Sequence, residues 1–237
     1  MNRQLSERLL VIASLVTPGL RLADVGCDHG LLSLYLLGNQ TVPYAIGMDL
    51  REGPLSRAQE NAVREHLGDR IVFRLSDGLD AYEAGEADSL VIAGMGGQMM
   101  ADILLREPEK TASFQELILE PQKDPDRVRA ALRRLPFGIT AERMVKEQGK
   151  YYPVIRAARS APMATSGLGE RIDDYYGPIL LKNRDGVLKA FLDFREPALR
   201  RILDGLAAEN AGKRRQFEQA LEDIETIRRY FSCGCQS

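Results

Sequence analysis

Cysteine and histidine are scarce in this chain, and both shortages narrow its chemistry. Three cysteines in 237 residues, Cys27, Cys233 and Cys235, are too few and too unevenly placed for a disulfide framework. A reducing cytoplasm is the expected setting. Cys233-Gly234-Cys235 has no two further ligands nearby in the sequence, so no metal site is expected. Of the two histidines, His66 reads as a helix-end residue. His29 sits in a loop among acids, where a hydrogen-bonding or packing role is commoner than general-base work. No apolar run approaches the roughly 20 residues of a membrane span, and the N-terminus lacks a signal peptide's apolar core. Neither a membrane nor export is expected. With 44% hydrophobic and 28% charged residues, the chain suits one α/β domain with a small appendage.

The formal net charge of −2 hides an asymmetry. Residues 1–120 carry 10 Lys/Arg against 18 Asp/Glu, residues 121–160 carry 10 against 4, and residues 161–237 carry 12 against 12. An acidic chain still binds a polyanion when its positive charge gathers on one face. A solvated basic helix and hairpin explains the same counts equally well.

Hydropathy patterning predicts a helix over residues 5–16, ended by Pro18-Gly19. Strands are expected at 20–25, 44–48, 71–75, 89–93 and 117–119. Helices are expected at 31–37, 54–67, 98–105 and 125–135, the last with Pro125 in its first turn. That alternation implies βαβ units and a mostly parallel sheet. Residues 139–145 and 151–157 then read as two strands joined by Lys146-Glu147-Gln148-Gly149-Lys150, an antiparallel pair ending the sheet. Residues 160–169 read as a linker. Beyond it, Leu188, Leu192, Leu199, Ile202 and Leu206 follow helical spacing, with Arg195 in the missing apolar slot and Pro197 expected to kink or restart the helix. After a polar turn around 209–213, Phe217, Ala220, Ile224, Ile227 and Phe231 form a second stripe. The expectation is an α/β, Rossmann-like sheet over residues 1–160 and a C-terminal helical, coiled-coil-like hairpin over residues 170–237.

The chemistry gathers at the strand ends. Asp24-Val25-Gly26-Cys27-Asp28-His29-Gly30 leaves the first strand and enters a helix, and glycine there lets backbone approach a nucleotide. Asp28 stands where a dinucleotide loop wants its second glycine. A carboxylate would repel a pyrophosphate, but it tolerates the sulfonium and amino group of S-adenosylmethionine. Asp49, nineteen residues after Gly30, is placed to accept from ribose hydroxyls. Asp77, before Gly78, is placed to accept from an adenine amino group. Any one of these acids is commonly just a turn residue, but three in register favour a nucleotide site at the carboxyl edge of the sheet. Gly94-Met95-Gly96-Gly97 reads either as a tight turn or as bare backbone where substrate and methyl donor meet. Glu120 and Gln122 line the same rim.

Leu22-Ala23-Asp24-Val25-Gly26-Cys27-Asp28-His29, Glu52-Gly53-Pro54, Asp77-Gly78-Leu79, Ile92-Ala93-Gly94-Met95-Gly96-Gly97 and Glu147-Gln148-Gly149-Lys150-Tyr151-Tyr152 resemble, in order, motifs of the bacterial tRNA adenine(22)-N1 methyltransferases. The resemblance spans residues 5–230 and includes the helical hairpin. Gly30 departs from the family's frequent alanine, and Glu120 from the glutamine expected before Pro121. What the resemblance implies is a class I methyltransferase acting at N1 of an adenine in tRNA. Its cofactor, S-adenosylmethionine, would lie against Asp24, Gly26, Asp28, His29, Asp49, Asp77, Gly78 and Gly94. Asp28 is then the catalytic candidate, because the methylated ring becomes cationic and a carboxylate stabilises it. N1 lies on the Watson–Crick edge, so a stacked target must be splayed out. Met95, Gly96, Gly97, Glu120 and Gln122 would face the base. The phosphates would meet Arg133, Arg134, Lys146 and Lys150, with Arg129, Lys213, Arg214 and Arg215 adding charge.

Two other readings stand beside this one. A methyltransferase of the same fold acting on a small molecule or protein needs neither the arginine-rich segment nor the helical hairpin. A non-catalytic, nucleotide-binding coiled-coil adaptor leaves the three strand-end acids without a catalytic use. An NAD oxidoreductase is disfavoured by Asp28 and by the antiparallel pair.

Overall fold

The computed structural model describes residues 5–206 and 210–233. Its chain divides into two compact units, Met1–Ala164 and Thr165–Ser237. The first opens with α1 (Glu7–Leu15), whose N-cap Ser6 accepts from the Leu9 N–H. There follow β1 (Leu22–Val25), α2 (Leu31–Gly38), β2 (Ala45–Asp49), α3 (Glu52–Arg64) and β3 (Ile71–Leu75). Then come β4 (Ser89–Gly96), α4 (Gly97–Arg106), α5 (Pro108–Ala112), β5 (Glu116–Lys123), α6 (Pro125–Arg133), β6 (Phe137–Glu147) and β7 (Lys150–Arg159).

The seven strands lie in the order β3-β2-β1-β4-β5-β7-β6. β1 to β5 are parallel, and β7 runs antiparallel between β5 and β6. β1 and β2 are buried along their whole length, as strands covered on both faces should be, which is why they read as apolar runs apart from Asp24 and the terminal Asp49. On one face Ile12, Leu34 and Leu37 pack with Leu22, Val91, Ile118 and Val154. A polar cluster pins one end of β5. There the buried Glu116 carboxylate accepts from Thr17 N–H (2.9 Å), Thr17 Oγ1 (2.6 Å), Ser89 Oγ (2.9 Å) and Arg156 Nε (2.9 Å).

β4 and β5 run further than their apolar cores suggest. Met95 pairs with Pro121 and Gly96 with Lys123 after register shifts, so the glycine turn and the Glu120-Pro121-Gln122 segment remain partly in the sheet. The short α5 was not anticipated, because five residues leave too little periodicity to detect. Arg129 is a correction to the expected basic face. It is buried and paired with buried Glu142 at 2.8 Å, which removes it from any phosphate-contacting surface.

The second unit contains α7 (Glu170–Tyr176), α8 (Pro178–Lys182), α9 (Gly186–Asp204) and α10 (Ala211–Ser232). Asp185 caps α9 by accepting from the Val187 and Leu188 N–H groups, both at 2.9 Å. α9 and α10 pack together, burying Leu188, Leu192 and Leu199 on one and Ile224 and Ile227 on the other. Arg228 reaches Asp193 (2.7 Å) and Arg200 reaches Glu225 (3.9 Å), pairs that run in opposite directions and make the two helices antiparallel. α9 passes through Pro197 as one helix, so the expected restart does not occur. Arg195 occupies its apolar slot by lying 4.5 Å from the Tyr175 ring and 5.6 Å from the Phe191 ring, and by donating to the Tyr175 hydroxyl. α7 joins both long helices, through Tyr175 to Arg195 and through Arg171 to Asp223, so the unit is more than a bare hairpin. Cys233 is a free, exposed cysteine, whereas Gly234 and Cys235 lie outside the described residues, as does Glu209 in the expected turn.

Candidate active site

Parallel pairing puts the ends of β1 to β5 on one edge, and each loop there carries a predicted site residue. Between β1 and α2 the backbone takes positive φ at Gly26 (+74°), Asp28 (+50°) and Gly30 (+71°). Gly26 and Cys27 donate to the Met48 carbonyl at 2.8 and 3.0 Å, which clamps the turn against β2. The left-handed backbone at Gly26 favours glycine, and the movable Cε of Met95 from the fourth-strand loop lies where a Cβ would be. Asp28 has no such exemption, and its left-handed backbone costs about 1–3 kcal/mol.

The Asp28 carboxylate is exposed, 3.7 Å from His29 Nε2 and 3.9 Å from Arg51 Nη2. Asp49, nearly buried, accepts from the Asp28 N–H (3.2 Å) at Oδ2 and from the Arg51 N–H (3.0 Å) at Oδ1. Each oxygen keeps a further lone pair, which is what two adjacent ribose hydroxyls require. Asp24 lies beneath the loop, buried, accepting from Ser33 Oγ at 2.6 Å. Burial, with a smaller push from the Asp49 charge and an opposing pull from Ser33, raises its pKa to about 6. The Asp77 carboxylate is exposed and bound by Arg106 Nη1 at 3.0 Å, and the Arg106 guanidinium holds it below the usual carboxylate range. Gly78 follows with φ +61°.

The acceptor side is built by β4 and β5. Gly94 (φ +79°) donates its N–H to Glu120 Oε2 at 2.7 Å. Gln122 is exposed beside it, and Met95 and Gly96 are half-buried. Gly97 is packed too tightly to meet a base: a Cβ there would overlap the Asp124 carbonyl, so its smallness lets α4 start against the backbone before α6. Glu120 departs from its expected place on the rim. Its side chain is wholly buried, and Oε2 takes a second hydrogen bond from Arg8 Nη1 at 2.6 Å. Burial pushes the Glu120 carboxyl up, and Arg8 and the Gly94 amide oppose that push. Arg8 also donates through its backbone N–H (3.2 Å) and Nε (3.4 Å) to Glu147, and its guanidinium lies 5.2 Å from the Tyr152 ring. Nothing in the sequence pointed to Arg8, since its partners are 112 and 139 residues away.

Within the first unit the expected basic residues are spread over separate places. Lys146 and Lys150 are exposed around a two-residue turn, Gln148-Gly149, whose φ values of +49° and +77° suit a tight hairpin. This turn lies at the same edge as the loops, because Glu147 meets Arg8 there. Arg134 shares a cleft with Asp77, Met99, Asp102 and Arg106. Arg133 lines a different one with Leu135, Phe137, Ser160 and Met163. Among the described residues no three His, Cys, Asp or Glu side chains group to hold a metal ion, and no helix is long and apolar enough to cross a membrane.

Known proteins align with this arrangement. A family model described as a methyltransferase domain matches residues 5–155. The crystal structure of the Bacillus subtilis m1A22 tRNA methyltransferase TrmK superposes with a TM-score of 0.85 at 28% identity, over 94% of this chain and 98% of that one. A Streptococcus pneumoniae protein crystallised with S-adenosyl-L-methionine gives a TM-score of 0.82 at 30% identity, covering 94% and 99%. In sequence, the Bacillus subtilis (strain 168) tRNA (adenine(22)-N(1))-methyltransferase is 32% identical over 185 residues, 78% of either chain. Likeness of that extent makes this chain a member of the tRNA (adenine(22)-N1)-methyltransferase family.

Proposed function

We propose that this protein transfers a methyl group from S-adenosylmethionine to N1 of adenine 22 in tRNA. The observation that carries the reading is the strained Asp28 turn hydrogen-bonded to Asp49, in a chain of this family. The donor set fits the cofactor. Asp49 would accept from the ribose hydroxyls, and the amino-acid end would lie against the Gly26 and Gly30 turns. Asp77 with Gly78 would meet the adenine once Arg106 shares or yields the carboxylate. S-adenosylmethionine supplies an electrophilic methyl group on a positively charged sulfur. Neutral adenine N1 carries a lone pair and needs no base to deprotonate it. The protein's task is therefore to hold the ring in line and to stabilise the positive charge that develops on it. Asp28 would do this, a role its exposure and charge support, with His29 at its side. Gly94, Met95, Gly96 and Gln122 offer a low wall against which a planar base can lie.

Residues 1–160 carry cofactor binding and transfer in this proposal, and residues 170–237 add tRNA contacts through Lys213, Arg214 and Arg215. The exposed Lys146 and Lys150 at the loop edge favour a polyanionic substrate over a small molecule or protein. Such an enzyme works where tRNA is, in the cytoplasm. The test is to incubate unmodified tRNA with labelled cofactor and identify the product nucleoside and its position by mass spectrometry. Label in 1-methyladenosine at position 22 supports the proposal. Label elsewhere, or none with a folded protein that binds cofactor, overturns it.

A further inference from the structure

We infer that Arg8 is a positioning residue for methyl transfer, holding the Gly94 turn in place through the buried carboxylate of Glu120. This rests on the function proposed above and goes beyond it to a residue of α1 that lies outside the strand-end loops. Three observations meet at Glu120. Its Oε2 accepts from both the Gly94 N–H (2.7 Å) and Arg8 Nη1 (2.6 Å). Its Oε1 is buried with no hydrogen-bond partner. Its side chain has no exposed surface, whereas Arg8 keeps about a fifth of its own.

A carboxylate so enclosed, with half its acceptor capacity unused, stays ionised and in place only beside a compensating charge. The charged groups facing it are Arg8 from α1 and Glu147 from the end of β6. Gly94 contributes an amide dipole from β4. Glu147 does not neutralise Glu120, but it grips Arg8 from the other side at Nε and the backbone N–H. The row Glu147–Arg8–Glu120 therefore joins the turn bearing Lys146 and Lys150 to the acceptor loop. Gly94 has positive φ and precedes Met95, whose side chain meets Gly26. A shift at Gly94 is thus felt at the glycine loop as well as at the base-binding wall.

Arg8→Met removes the charge and leaves Glu120 a buried, lone acid. Below its raised pKa the neutral acid can remain buried. Above it, the ionised carboxylate moves towards water and releases Gly94. In the variant kcat is expected to fall about 10-fold or more, and cofactor affinity, which also depends on the Gly94 and Gly26 loops, to fall by less. That deficit should deepen as pH rises, a trend absent from the parent. Hydrogen exchange at the Gly94 amide should accelerate relative to the parent at the same pH. Arg8→Lys, which keeps the charge, should recover most of the rate. Glu120→Gln should make Arg8→Met nearly silent, because an uncharged amide oxygen can hold Gly94 without a counter-charge. If Arg8→Met unfolds the protein, Arg8→Gln, which keeps a donor without the charge, should show the same pH-dependent loss. Additive losses in the double variant, or a pH-independent loss with unchanged Gly94 exchange, overturn the inference. Failure of the parent to methylate tRNA would overturn the function instead, and the Gly94 exchange comparison would still decide the role of Arg8.

Discussion

The Asp28 backbone N–H donates to Asp49 Oδ2 at 3.2 Å, so the strained turn after β1 and the acid ending β2 form one rigid corner. Asp49 orders the loop from below and still presents lone pairs above. Asp49→Ala should therefore weaken S-adenosylmethionine binding by about 1–3 kcal/mol, through lost charged hydrogen bonds. Titration calorimetry on the folded variant checks this, and unchanged affinity would remove Asp49 from the cofactor site.

Asp28→Asn isolates charge from shape, because asparagine also tolerates the left-handed backbone at φ +50°. Turnover should fall about 10- to 100-fold, with cofactor affinity little changed, since the lost charge matters most as the ring becomes cationic. Single-turnover rates and cofactor binding measured on the same preparation separate the two. Equal losses in both would make Asp28 a cofactor ligand.

Asp24 links the site to stability. Its carboxyl is raised to about 6 by burial in the folded protein, whereas in the unfolded chain it ionises near its ordinary value. The folded state thus binds the proton more tightly, and stability falls as pH rises from about 4 to about 6. Asp24→Asn retains an acceptor for Ser33 and should flatten that slope, leaving the variant about 1–3 kcal/mol more stable at neutral pH relative to the parent. Urea unfolding at pH 4.5 and 7.5 gives the comparison. An unaltered slope would show that other groups set it.

For the tRNA surface the structure separates residues that sequence had grouped. Lys146→Ala with Lys150→Ala should reduce the salt dependence of tRNA binding by about one to two in log–log slope. Arg134→Ala, beside Asp77 and Arg106, should act in the same direction. Arg133→Ala, in its separate cleft, should change the slope less. Filter binding across a salt series measures all of these, and equal slopes in every variant would exclude the segment from RNA contact.

The βαβ alternation and the closing antiparallel pair were legible because buried parallel strands are uniformly apolar and a Lys-Glu-Gln-Gly-Lys run breaks two β-type segments. The acids at the strand ends were legible because each ends or closely follows an apolar run, with Asp28 and Asp77 near glycines. The lengths of β4 and β5 were not, since glycine, proline and glutamate look like loop residues even when still paired. Of the two outcomes expected at Pro197, the restart does not occur, because a long helix tolerates one missing N–H when its neighbours are anchored by Asp193, Glu196 and Arg228. Arg129 and Arg195 show the limit of counting charges. Each is an arginine absorbed by a local partner, a carboxylate in one case and two aromatic rings in the other, and only three-dimensional proximity reveals it.

The strand order has a consequence for how the chain comes off the ribosome. β6 is made before β7, yet β7 must insert between β5 and β6. Until residue 159 has emerged, β5 presents an unpaired edge, and its parallel neighbours are already able to assemble. The Glu116 cluster cannot close in that interval either, because Arg156 is still to come. A nascent chain halted between β5 and β7 is consequently the species most exposed to edge-to-edge association. Release of the Gln148-Gly149 turn, which folds β7 back at once, is the step that ends the exposure.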